Sequence, residues 1–177
     1  MTSYPNSNLS DFFSTASHGE ILRFHAQAAD VLRLRGLTRS ANNPVGDFAE
    51  GIFCRTFGWK PADSATLPFD ATDEHGIKYQ IKGRRVRNDG ESRQLSAIRD
   101  LEKEGFDFIA AIIFGWEYQI LSAIIVPRAI VKALATFQSF TNSHRFMVDQ
   151  RTLAQPSVKD VTALATAAST KWLDTRP

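Results

Sequence analysis

"FDATDEHGIKYQIKGRR" (residues 69 to 85) reads as a hairpin: a strand over 69–72, turn chemistry at Asp73-Glu74-His75-Gly76, and a second strand over 77–82. Strand residues alternate faces, so Gln80 and Lys82 share one side while Tyr79 and Ile81 share the other. A hairpin built only for packing needs one apolar face and little else. This one has a polar face, and the turn brings Asp70 close to Gln80 at one end of the pair, with the register deciding whether their side chains meet.

Outward from the hairpin, the first ten residues read as a loose end rich in turn formers, followed by one or two helices over 11–37. Asn43 and Pro44 then have the chemistry of an N-cap and a first helical residue, which predicts a helix over 44–57 closed by Gly58. Val45, Phe48, Ile52 and Phe53 form its apolar face. Glu50 sits on the margin of that face, a costly place for a carboxylate unless a cation meets it. On the other side of the hairpin, apolar runs over 106–114 and 120–126 predict a buried strand pair joined by Gly-Trp-Glu-Tyr-Gln. A helix from Pro127 to Phe137, a short strand at Arg145–Asp149 and a helix over 157–172 complete the reading, the last with Val158, Val161, Leu164, Ala168 and Trp172 inward. Helices before and after a central group of strands predict an α+β, α/β/α-like fold with a mixed β-sheet flanked by helices.

The 177 residues suit one domain with a real core, and 43% hydrophobic residues with thirteen Phe mark a folded chain with an aromatic interior. A net charge of +2 announces no partner by itself. Its distribution says more: Lys82, Arg84, Arg85, Arg87, Arg93 and Arg99 lie within eighteen residues against only Asp89 and Glu91. A single cysteine, Cys54, excludes an intrachain disulfide and a thiolate cluster and fits a reducing compartment. The apolar runs are too short to span a bilayer and no apolar leader precedes them, so the expectation is a cytoplasmic protein without membrane contact. Walker, Gly-x-Ser-x-Gly and His-Glu-x-x-His signatures are missing, and His18, His25, His75 and His144 are scattered.

Glu50 on a helix, Asp70 entering a strand and Gln80-Ile81-Lys82 on the next resemble the PD-(D/E)xK nuclease superfamily, the fold of many restriction and repair nucleases. The resemblance covers about residues 43–126. It implies a nuclease-like core over 43–137, an N-terminal helical extension over 1–42, and a C-terminal strand and helix over 138–177, all in one domain. It also implies metal-dependent phosphodiester hydrolysis, in the first place of DNA, with RNA not excluded. On this pattern Asp70 is the central metal ligand and Gln80 stands where an acid is usual. Glu50 and the Ile81 carbonyl complete the ligand set, and Lys82 attends the attacking water. Mg²⁺ is the implied cofactor, with Mn²⁺ as a substitute. A glutamine donates its carbonyl oxygen without charge, so two carboxylates balance the ion and substrate phosphate supplies the rest. Arg84, Arg85, Arg87 and Arg93 are the expected nucleic-acid contacts, although alternation puts Arg85 and Arg87 opposite Lys82. Duplex cutting with one site per chain favours a homodimer.

Two rivals stand beside this reading. One is a noncatalytic module of the same fold that binds nucleic acid or a protein through its basic stretch. The other makes the polar face structural, with Lys82 in a salt bridge to Asp70 or Glu50. Trp59 and Trp116 are either base-stacking plates or edges of the core.

Overall fold

The computed structural model describes residues 6–39, 43–63, 67–88 and 90–174. The chain falls into two compact units, 1–44 and 45–177. The first contains helices α1 (Asn6–Thr15) and α2 (His18–Leu34). The loose end expected over the first ten residues is therefore helical from Asn6, while residues 1–5 lie outside the described residues. Ser17 starts α2 with a capping box: its hydroxyl accepts the Glu20 N–H, and the Glu20 carboxylate accepts the Ser17 N–H at 2.8 Å. The hydroxyl and amide of Ser17 hold the Glu20 carboxyl below its ordinary pKa. Phe12 and Phe13 of α1 meet Phe24 of α2 at ring distances of 5.8 and 5.2 Å.

The second unit is built on a six-stranded sheet in the order β1 (Lys60–Pro61), β2 (Ala71–Thr72), β3 (Lys78–Arg85), β4 (Phe108–Phe114), β5 (Ile120–Pro127) and β8 (Lys159–Asp160). Only β3 and β4 run parallel, so the sheet is mixed, as the order of elements predicts. Helix α3 (Val45–Phe57) and helix α6 (Thr162–Leu173) pack on each other, α3 on β3 and α6 on β5. Between β5 and β8 come α4 (Arg128–Leu134), a separate ribbon of β6 (Thr136–Gln138) and β7 (Ser143–Arg145), and α5 (Gln150–Leu153). The architecture is the expected α+β class, a central mixed sheet flanked by helices.

Each face of the sheet has its own core. On one, Phe48 of α3 stacks on Phe114 of β4 at 5.3 Å and meets Trp172 of α6 at 5.5 Å, and Gly83 brings β3 against Val45 and Ala49. On the other, Ile109, Ala111 and Ile113 of β4 join Leu95, Ile98, Leu101 and Phe106 from the 86–107 connection with Val131, Phe146 and Val148. The register places Gln80 beside Ile109, Lys82 beside Ala111 and Arg84 beside Ile113. The polar alternation of β3 thus borders this second core.

Several boundaries differ from expectation for local reasons. The 69–72 strand shrinks to Ala71–Thr72 because the Asp70 side chain, in place of backbone, takes the next β3 amide. The second strand runs on to Arg85, since β4 pairs with it throughout. The third starts at Phe108, not 106, because the Asp107 carboxylate turns aside to accept the Lys78 N–H at 2.8 Å. Helix α4 stops at Leu134 where the chain enters β6, so 135–137 are not helical. No strand covers Arg145–Asp149: the pairing lies at Ser143–Arg145, with Met147 held in an isolated bridge to Gln94. The last helix begins at Thr162 because Lys159–Asp160 add an edge strand to β5 and the Asp160 carboxylate caps the Thr162 N–H at 2.9 Å. That start moves the buried positions to Ala165 and Ser169, and Leu164, expected inward, is 57% exposed. Gly58 ends α3 at φ +70, and Gly76 takes φ +77 in the Asp73–Gly76 turn, conformations glycine adopts without strain. Among the described residues no helix is long and apolar enough to cross a membrane.

Candidate functional site

The site grows from Asp70, the residue just before β2 begins. The Asp70 N–H donates to the Tyr79 carbonyl at 2.8 Å, and the Asp70 carbonyl accepts the Ala62 N–H at 2.8 Å, which fixes its backbone on both sides. Its Oδ2 accepts the Ile81 N–H at 2.6 Å, so the carboxylate continues the ladder that β2 abandons. In a strand the N–H and C=O of one residue point to the same edge, so the Ile81 carbonyl faces the edge where Asp70 lies. One carboxylate oxygen is committed to the fold. The other is the one available to a ligand.

On the adjoining face, the Gln80 Nε2 donates to the Pro68 carbonyl at 3.4 Å, while its Oε1 is buried and has no hydrogen-bond partner. A buried unpaired carbonyl oxygen costs about 1–3 kcal/mol, a penalty natural cores avoid. Two residues on, Lys82 is half-buried. Burial pushes its ammonium below the ordinary lysine pKa, the Asp70 and Glu50 charges pull it back up, and Arg99 pushes it down again. Glu50 comes from α3, whose close approach to β3 requires the missing side chain of Gly83. Asp70, Gln80 and Lys82 are thus gathered by backbone pairing, and Glu50 joins them through its field at Lys82.

The arginines divide. Arg84, on the Lys82 face, lies 3.4 Å from Glu91 and keeps a buried Nε with no partner. The Arg85 guanidinium lies 4.6 Å over Trp116 and 4.7 Å over Tyr118, and Arg87 lies 4.8 Å over the same Trp116. Arg93 borders a separate cavity with Met147 and Leu153. Trp116, 49% exposed, is a solvent-facing plate carrying two cations, whereas Trp59 is buried and stacked on Tyr79 at 3.7 Å. The sequence reading missed Arg99. Its charge reaches Lys82 only after the 86–107 connection folds back, and the cationic run was its sole signal.

The Asp70 carboxylate meets the β3 edge at Ile81, the Gln80 amide oxygen stands one residue earlier without a partner, and the Glu50 charge is felt at Lys82. Among the described residues no group of three or more His, Cys, Asp or Glu gathers to hold a metal. No protein-family model and no curated protein matches this chain, so the functional reading rests on the residues themselves.

Proposed function

We propose that the chain is a divalent-metal-dependent nuclease of the PD-(D/E)xK kind in its Gln-x-Lys form, a DNA endonuclease of restriction or repair type. One observation carries the proposal: an unpartnered buried amide oxygen and a half-buried lysine alternate on the strand whose amide is held by Asp70. Asp70, Glu50, Gln80 and the Ile81 carbonyl would hold Mg²⁺ or Mn²⁺. When bound, the ion supplies Lewis-acid stabilisation of charge on a scissile phosphate.

The chain's own groups do the remaining work. Burial raises the fraction of Lys82 that is neutral at a given pH, so its amine can hold a water and take up a proton from it. Arg84 and Arg99 offset negative charge on the Lys82 side. Arg85 and Arg87 on Trp116 offer a cation-bearing plate for a neighbouring stretch of strand. With one such site per chain, two copies would cut the two strands of a duplex.

The test is incubation of supercoiled plasmid, single-stranded DNA and RNA with Mg²⁺, Mn²⁺ or EDTA, beside Asp70→Asn and Lys82→Met proteins checked for folding by circular dichroism. Metal-dependent nicking that falls at least about 100-fold in both folded variants is expected, the scale of losing one preorganised charge-stabilising group. Cleavage that survives both substitutions, or that ignores metal, would refute the proposal. A second reading, a noncatalytic binder of nucleic acid, draws on the absence of a three-acid cluster among the described residues. It predicts binding without cleavage, indifferent to metal and to both substitutions.

A further inference from the structure

The β6–β7 ribbon is tied to the 86–107 connection at one point: the His144 N–H donates to the Ile98 carbonyl at 2.7 Å, and the His144 carbonyl accepts the Ile98 N–H at 3.0 Å. Beside this tie lies a cavity of about 320 Å³ lined in part by Gln94, Gln138, Phe140, Thr141, His144 and Arg145. Phe140 occupies the 3₁₀ turn at the ribbon's tip and is fully exposed, with a relative exposure of 101%. No carboxylate is among the described lining residues. The segment that lines the cavity at 94–97 continues through Ile98 to Arg99, whose charge acts on Lys82 of the proposed hydrolytic site.

We propose that this cavity takes one unstacked nucleobase of the nucleic acid held at that site. The inference rests on the nuclease reading. A nucleobase is flat and apolar on its faces and carries mixed donors and acceptors on its edge. The exposed Phe140 ring matches the face, and the Gln94 and Gln138 amides, each with both donor and acceptor, match the edge. Arg145 supplies a cation for the adjoining phosphate. A bare phosphate site would gather several cations, and this cavity has one full positive charge among its described lining residues. A docking groove for an apolar helix would offer a continuous row of apolar side chains, whereas here Leu95, Ala97 and Phe140 alternate with two amides, two hydroxyls, His144 and Arg145.

The experiment uses the full chain in EDTA, where metal-dependent cleavage is off, with oligonucleotides carrying 2-aminopurine at successive positions. The expected result is a position-dependent change in 2-aminopurine emission on binding. Phe140→Ala should abolish it and weaken binding roughly 5- to 150-fold, Gln138→Ala should diminish it, and Phe140→Trp should retain it. Phe140 is exposed, so these variants test the cavity rather than the fold. Binding within twofold of wild type, with unchanged emission in Phe140→Ala and Gln138→Ala, overturns the proposal. So does competition by an apolar peptide without any emission response. Metal-dependent cleavage by a protein that shows no emission change refutes the cavity alone. An emission change that requires Phe140, in a protein that cleaves nothing, refutes the hydrolytic reading alone.

Discussion

Gly83→Ala tests how α3 is seated against the strand that carries Lys82. A Cβ at this position would lie 2.7 Å from the Val45 carbonyl oxygen, 2.8 Å from Val45 Cγ1 and 3.2 Å from Ala49 Cβ. Carbon contacts settle near 3.5–4.0 Å, so the carbon–carbon overlap at Val45 is roughly 0.7 Å or more. One obstacle is backbone and the others are short stubs on it, so no rotamer change relieves the clash. The helix itself must retreat. Overpacking of this kind costs about 1–3 kcal/mol, and the lower chain entropy of alanine in the unfolded state returns about 0.4–1 kcal/mol. Because two contacts fall below 3.0 Å and one of these is to backbone, the overpacking cost belongs in the upper half of its range, about 2–3 kcal/mol, and the net expectation is a loss of about 1–2.6 kcal/mol, or a Tm lower by roughly 3–10 °C for a unit of this size. Urea denaturation followed by tryptophan emission reads it, because Trp59 and Trp172 both belong to the affected layer. Glu50 rides on the same helix, so nicking activity should fall with the stability. The control is Gly46→Ala, on the exposed side of α3 with nothing within 4 Å of its Cβ, which should stabilise by about 0.4–1 kcal/mol. A Gly83→Ala protein as stable as wild type within about 0.3 kcal/mol would refute the packing argument and the seating of Glu50 with it.

Lys82→Met should leave stability at pH 7 unchanged or higher while removing cleavage. The folded pKa lies below the unfolded 10.5, so the folded state bears the cost of a buried ammonium at neutral pH, and wild-type stability climbs as pH rises through the interval between the two values. Equilibrium unfolding of both proteins at pH 7 and 9 reads this, and a marked loss in Lys82→Met would instead favour the structural salt bridge. Tyr79 acts in the opposite direction. Burial first, then its bond to Asp73, raises its phenol to about 12, so the stability it contributes is fully present below pH 10 and is lost between about 10 and 12. In Tyr79→Phe, which also forfeits the 3.0 Å bond to Asp73 and about 0.5–1.5 kcal/mol, the alkaline loss should shrink, as ultraviolet titration with parallel denaturation would register. Trp116→Ala removes the plate beneath Arg85 and Arg87 and should weaken oligonucleotide binding several-fold in fluorescence anisotropy, with Asp70-dependent nicking rates at saturation little changed. Equal affinity would take those arginines out of the interface.

Much of the candidate site was legible because its logic is local. Alternation along β3 separates Gln80 and Lys82 from Tyr79 and Ile81 whatever the rest of the chain does, and the turn at Asp73–Gly76 is spelled by an aspartate that accepts the His75 and Ile77 amides and by a glycine at positive φ. What was not legible depends on distant closure. The Arg99 charge reaches Lys82 from a connection that bridges at Ile98 to His144, and no pattern around residue 98 names that partner. The spacing of Leu164 with Val161 and Ala168 reads as core, but a two-residue edge strand ends at Asp160, whose carboxylate sets where α6 begins and turns the smaller Ala165 inward. Asp70 is the instructive middle case: its pattern reads as strand, and it sits just before β2 begins, its side chain doing the work of a backbone acceptor.

Energetics adds what pattern alone does not. Four side-chain atoms among the described residues are buried without a hydrogen bond, and two of them, Gln80 Oε1 and Arg84 Nε, stand on either side of Lys82 in the alternation of one strand. A fold that needed only a sheet here would have placed valine or isoleucine at 80, 82 and 84, as β4 does at 109 and 113 across the register. Three successive positions on one face instead hold an unpaired carbonyl, a half-buried ammonium and an unpaired guanidinium nitrogen, each at a cost to stability. Random drift spreads such costs through a structure. Two of the four fall on this one strand, beside a carboxylate bonded to its edge, and the proposed phosphodiester ligand would bring oxygens of its own to that place.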